Sequence, residues 1–133
     1  MPSILRLPAL ALGELEQAVL EMLWSSGPSN PGSVHAAVGE PRDISVNTVS
    51  SALKRLYEKG LLRREKVSHS YVYEAALTRA ELQGQMIGAI ANRFPESEGK
   101  GLLAAFVDYA EADGEDTLRQ LEALIAERLA NKD

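Results

Sequence analysis

Ser45-Val46-Asn47-Thr48-Val49-Ser50-Ser51-Ala52-Leu53-Lys54-Arg55-Leu56-Tyr57-Glu58-Lys59-Gly60 reads as a helix with two unlike faces. Ser45 is a natural N-cap, and Gly60 sits where a left-handed residue closes a helix. Val49, Ala52, Leu53 and Leu56 recur at helical spacing and form a stripe to bury. The opposite face holds Asn47, Ser50, Ser51, Lys54, Arg55 and Glu58: one acid, two cations and several short hydrogen-bonding groups. The major groove of B-DNA is about 12 Å wide and admits one α-helix. A helix used there must bury one face and leave the other free to read base edges. Small side chains allow close approach, Asn and Arg can pair bidentately with adenine and guanine, and Ser donates or accepts.

The flanking sequence supplies a scaffold for such a helix. Upstream, Leu12, Leu15, Val19, Met22 and Leu23 predict a first helix, stopped by Ser25-Ser26-Gly27-Pro28. Asn30 caps a short second helix with Pro31 at its first position; Val34, Ala37 and Val38 face inward, and Gly39 and Pro41 end it. Downstream, Leu62–Val67 and Tyr71–Ala75 suit strands, and Ser68-His69-Ser70 between them reads as a hairpin turn. Three helices and a hairpin in this order are a winged helix-turn-helix. The wing would set Arg63, Arg64, Lys66 and His69 against flanking phosphates or the minor groove. Tyr57, Tyr71, Tyr73 and the lone Trp24 are read as packing residues.

Thr78-Arg79-Ala80-Glu81 is a capping box that opens a fourth helix, with Pro95 just beyond its end. A fifth helix follows over Leu102–Ala110, ended near Gly114, and a sixth over Leu118–Leu129. The change of architecture near Ala76–Thr78 predicts two domains: 1–77, a winged-helix DNA-binding domain, and 78–133, a three-helix dimerisation domain in a mostly α protein. Leu82, Met86, Ile90, Leu103, Phe106, Leu118, Leu121, Ile125 and Leu129 make three apolar stripes that three short helices cannot all bury in one chain. Pairing with a second copy covers them, and its two-fold symmetry suits a palindromic site.

Charge agrees once it is divided along the chain. The formal net charge is -5, which looks wrong for a DNA binder. Residues 1–77, however, hold eight Lys/Arg against eight Asp/Glu, while 78–133 hold six against eleven. Seven cations lie between Arg42 and Lys66 beside only three acids, Asp43, Glu58 and Glu65. Screening limits each field to about 8–10 Å at physiological salt, so a local basic patch can work on an acidic protein. A polar helix face is commonly just solvated surface, and hairpin cations commonly guard an edge strand. Their coincidence in the two elements that would face DNA favours DNA. A winged helix used for protein–protein contact is the alternative; it would call for an apolar or acidic face, and only Glu58 speaks for it.

Other classes find little footing. With no cysteine, disulfides and thiolate chemistry are out. His35 and His69 lie on different elements, Gly99-Lys100-Gly101 lacks phosphate-loop spacing, and the acids from Asp108 to Asp116 lack calcium-loop spacing. No enzyme, metal or other cofactor is expected. No apolar run approaches the roughly 18 residues of a membrane span, and Met1–Leu12 lacks the basic region and cleavage pattern of a signal peptide. A cytoplasmic protein without membrane insertion is expected.

The stretches Leu12-Gly13-Glu14-Leu15-Glu16 through Leu23-Trp24, Ser33-Val34-His35, Asn47 to Leu62 and Tyr71-Val72-Tyr73 resemble the penicillinase-repressor (BlaI/MecI/CopY) family. The likeness is close over roughly residues 10–77 and extends to the helical layout beyond. It implies a homodimeric bacterial repressor of an inverted-repeat operator, controlling β-lactam-resistance or related stress genes. By position, the family's DNA-contacting residues fall on Ser45, Asn47, Thr48, Ser51 and Arg55; Ser50, Lys54, Lys59, Arg63, Arg64, Lys66 and His69 complete the expected DNA-binding set. Two departures concern induction. Members that sense β-lactams are cut at an Asn-Phe bond by a membrane sensor-protease, and here that place holds Ala105-Phe106. Copper-responsive members carry Cys-x-Cys pairs, which this chain lacks.

Overall fold

The computed structural model describes residues 12–93 and 100–132. Two units divide after Arg93. The N-terminal stretch before Leu12, together with Pro95 and Gly99, lies outside the described residues.

In the first unit, α1 spans Glu14–Ser26. Gly13 precedes it in extended conformation and donates its N–H to Glu16 Oε1 at 3.3 Å. Gly27 closes the helix at φ 82°, with its N–H on the Leu23 carbonyl. The second helix, α2, is regular only over Pro31–Val34, capped by the Asn30 side chain, which accepts from the Ser33 N–H at 2.8 Å. The chain does not stop there. It widens into a π-type turn over His35–Gly39 and tightens into a 3-10 turn over Glu40–Arg42. Asp43, at φ 56°, then reverses the path. The wide turn brings Gly39 so close to its neighbours that a Cβ there would lie 2.5 Å from His35 Cδ2 and 2.9 Å from Val49 Cγ2. His35 pins the same corner by donating its Nε2–H to the Ile44 carbonyl at 2.8 Å.

Helix α3 spans Val46–Glu58. Ser45 Oγ accepts from the Thr48 N–H at 3.2 Å, as an N-cap should. At the other end Gly60 adopts φ 84°, its N–H bonds the Tyr57 carbonyl, and the Leu61 N–H bonds the Leu56 carbonyl. This is a Schellman closure, and Leu56 and Leu61 are both buried beneath it.

Strands β1 (Leu62–Val67) and β2 (Ser70–Ala75) pair antiparallel, with Leu62 opposite Ala75 and Val67 opposite Ser70. The turn is therefore two residues, Ser68-His69, one shorter than the sequence suggested. Ser68 supplies the positive φ, 60°, that glycine usually provides at that position. Ser29 joins the hairpin base by reciprocal backbone bonds with Tyr73 of 2.9 and 2.8 Å.

Helix α4 spans Arg79–Arg93, and its capping box forms: the Glu81 N–H donates to Thr78 Oγ1, and the Thr78 N–H donates to Glu81 Oε1. Val19, Leu20, Leu23, Val34, Val38, Val49, Leu53, Leu56, Leu61, Leu62 and Tyr73 build the core, and Leu82 of α4 completes it. Met86 packs on its margin. Trp24 Nε1–H donates to the Leu77 carbonyl at 2.9 Å, and Arg79 pairs with Glu21 while lying over the Trp24 ring. Residues 78–93 are thus tied to α1, and the boundary between compact units falls 16 residues after the change of architecture at 77. The result is a mostly α fold: a winged helix of three helical segments and a two-stranded wing, with a fourth helix docked on it.

The second unit is a helical hairpin. Helix α5 (Lys100–Asp113) and helix α6 (Glu115–Ala130) meet at Gly114, whose φ of 138° excludes most other residues. Ala110 is its one buried residue among those described. No helix among the described residues is long and apolar enough to cross a membrane.

Candidate nucleic-acid interface

Helix α3 divides as its sequence demands. Val49, Ala52, Leu53 and Leu56 have 0% exposure. Ser45, Asn47, Thr48, Ser51, Lys54 and Arg55 are all exposed on the far side, and Ser50 is half-buried at the edge. Neither Lys54 nor Arg55 is held in an ion pair among the described residues. The Ser45 hydroxyl lies 3.0 Å from that of Thr48, so the first turn presents a linked pair of hydroxyls beside Asn47. No group of side chains among the described residues could hold a metal ion.

Lys59 is placed differently from its neighbours. Its ammonium turns back to α1 and meets Glu16 Oε2 at 2.9 Å, with both side chains largely covered. Burial pushes the Glu16 carboxyl up, but the Lys59 ammonium, the Gly13 N–H and the more distant Arg55 charge outweigh it and hold it below the ordinary range. Lys59 therefore joins α3 to α1 and is not brought together with the exposed set.

The wing cations also separate. Arg63 lies across from Glu74, 3.3 Å away, and bonds the Ala76 carbonyl. Arg64 sits between two tyrosine rings, 4.0 Å from the centroid of Tyr57 on α3 and 4.1 Å from that of Tyr71 on β2. Lys66 and His69, nearer the tip, are exposed. The open cationic groups are thus Lys54 and Arg55 on the helix and Lys66 on the wing. Tyr57 and Tyr71, read from sequence only as packing residues, are the ones that hold Arg64. Two aromatics and an arginine spaced over one helix and one hairpin could have signalled this, but only with the strand register known.

The residues expected at a dimer interface are not all together. Leu82 is 4% exposed inside the first unit's own core, and Met86 packs beside it. Leu103, Phe106, Ile125 and Leu129 remain exposed on α5 and α6, while Leu118 and Leu121 are half-buried and line a groove with Val107 and Ile125. Ile90 is exposed near the end of α4. Ala105 and Phe106 lie mid-helix in α5 and are exposed.

The transcriptional regulator BlaI of Mycobacterium tuberculosis is 34% identical over 111 residues, which cover 82% of this chain and 80% of that protein. Among solved structures, the transcriptional regulator Tm0710 from Thermotoga maritima aligns over 95% of this chain and 84% of its own, at 17% identity and a TM-score of 0.48. Reduced AbfR bound to DNA aligns over 80% and 76%, at 22% identity and a TM-score of 0.47. Superpositions this loose carry no part of the site assignment. The profile described as penicillinase repressor matches residues 12–127, from the start of α1 almost to the end of α6, and the chain belongs to that family of winged-helix transcriptional regulators.

Proposed function

We propose that this regulator is a homodimeric repressor of an inverted-repeat operator in double-stranded DNA, reading base edges with α3 and gripping flanking phosphates with the wing. One observation carries the reading: α3 buries its apolar stripe completely while Asn47, Thr48, Ser51, Lys54 and Arg55 are exposed on the other side. Small polar groups at the helix start and cations further along fit entry into a major groove. The family is one of transcriptional repressors rather than enzymes. Its targets, on this reading, are β-lactam-resistance or related stress genes, and it works in the cytoplasm, where promoters are reached.

The dimer rests on the second unit. A two-helix hairpin whose described residues include one buried alanine cannot stand on its own core. Leu103 is 64% exposed and Leu129 67%; a second copy of the hairpin covers them. Release would follow from a membrane sensor-protease acting at Ala105-Phe106, or from another route. The test is fluorescence anisotropy with the tightest duplex that the wild-type chain selects from a randomised pool. Arg55→Ala should lose about 1–3 kcal/mol of affinity for that duplex. Unchanged binding in that variant, or a wild-type chain that sediments as a monomer at micromolar concentration, overturns the corresponding half of the proposal.

A further inference from the structure

We infer that Arg64 is a positioning residue: clamped between Tyr57 and Tyr71, it fixes the outer half of the wing against α3. The inference rests on the operator-binding reading above and assigns one of its cations a different task.

The register explains the clamp. Residues directly opposite in an antiparallel pair share a face, and Arg64 lies opposite Tyr73 while Lys66 lies opposite Tyr71. Arg64 and Tyr71 are therefore diagonal neighbours on the face turned to α3. Tyr57 comes from the last turn of α3 and closes the other side of the guanidinium. Tyr71 and Tyr73 are themselves in contact, their ring centroids 6.1 Å apart. A planar cation between two ring faces is favourably placed on both sides. Both faces of the guanidinium are covered, which fixes its place and its plane between α3 and β2.

The position of the clamp along the hairpin gives it leverage. The base is held by other means: Leu62 and Tyr73 are in the core, and Ser29 pairs with Tyr73. Beyond Arg64, the strand residues Glu65, Lys66 and Val67 and the turn are exposed. Lys66 lies about 7 Å further on at roughly 3.3 Å per residue. A tilt of about 20° would move it by about 2 Å, enough to break a phosphate hydrogen bond from Lys66. Arg64 thus acts through the place at which it holds that lysine.

A double-mutant cycle on the selected duplex tests this. Arg64→Ala should weaken binding about tenfold. Tyr57→Leu, which removes no charge, should do the same, and the double variant should lose no more than either alone. Tyr57→Phe, which returns the ring without the hydroxyl, should restore affinity to within about twofold of wild type. In the free protein, the Arg64 Cδ protons should show upfield ring-current shifts in NMR spectra that vanish in Tyr57→Leu. Additive losses, or full affinity in Tyr57→Leu beside a weakened Arg64→Ala, overturn the positioning role. A wild-type chain that selects no duplex overturns the operator reading instead, and the proton shifts then show independently whether the clamp exists.

Discussion

At Gly39 the absence of one carbon permits the corner between α2 and α3. Its φ is ordinary, so the constraint is space: a methyl there meets His35, Val49 and the Ile44 carbonyl at 2.5, 2.9 and 3.1 Å. Gly39→Ala should cost about 1–3 kcal/mol by overpacking, seen as a lowered midpoint in urea unfolding. Glu16 makes a second prediction. Its pKa is held below the ordinary 4.5 in the folded protein, so the unfolded chain takes up the proton first as pH falls. The stabilisation is complete above about pH 4.5 and is lost as pH drops through the folded value. Thermal melts from pH 7 to 3 should show Glu16→Gln less stable than wild type at neutral pH, with the gap closing in acid; a gap that widens instead contradicts the ion pair's role. The pair was not legible in the sequence. Glu16 and Lys59 are 43 positions apart, and Lys59 looked like one more cation in a basic run. The free cations Lys54 and Arg55 were legible, because the apolar stripe of their own helix dictates where they point.

Helices with caps at both ends were the easiest elements to foresee. Ser45 and Gly60 bracket α3 in the fold as in the sequence, and Thr78 and Glu81 open α4 by the box their spacing announced. The hairpin was foreseen in kind but missed in register. A three-residue turn over Ser68–Ser70 would set Arg64 opposite Glu74 as an edge ion pair. The actual two-residue turn sets Arg63 there and hands Arg64 to the tyrosines. One residue of slip exchanges the faces of a strand, and no glycine marked the turn, since Ser68 takes the positive φ. Helix α5 carries the prediction about induction. The bond Ala105-Phe106 lies inside it, so cutting requires local opening. A protease that hydrogen-bonds an Asn side chain would also leave polar groups unpaired against Ala105, a loss of about 1–3 kcal/mol. Cleavage there should be slow, and an immunoblot after β-lactam treatment should show the intact chain persisting. Prompt appearance of a fragment ending at Ala105 would contradict this.

Taken as a whole, the molecule places its joint later than its change of architecture suggests. Composition and element order marked residue 77, but Leu82 fills the first unit's core and the Trp24–Leu77 bond ties the linker to α1. No local pattern distinguishes an apolar residue meant for its own chain from one meant for a partner; Leu82 and Leu129 look alike in a helical stripe. Two truncations separate the readings. A chain ending at residue 93 should fold cooperatively as a monomer and bind the selected duplex far more weakly, because linked half-site binding is lost. A chain ending at 77 lacks Leu82 and should be less stable than that one by about 2–5 kcal/mol, measured by urea denaturation. Trp24, the chain's single tryptophan, gives this junction an optical readout of its own. The indole lies under Arg79 with its N–H on the Leu77 carbonyl, so its emission reports whether α4 is seated. Lifting that helix would wet the ring and redden its fluorescence, which makes an unlabelled sample sufficient to follow, in real time, whether α4 stays on the first unit.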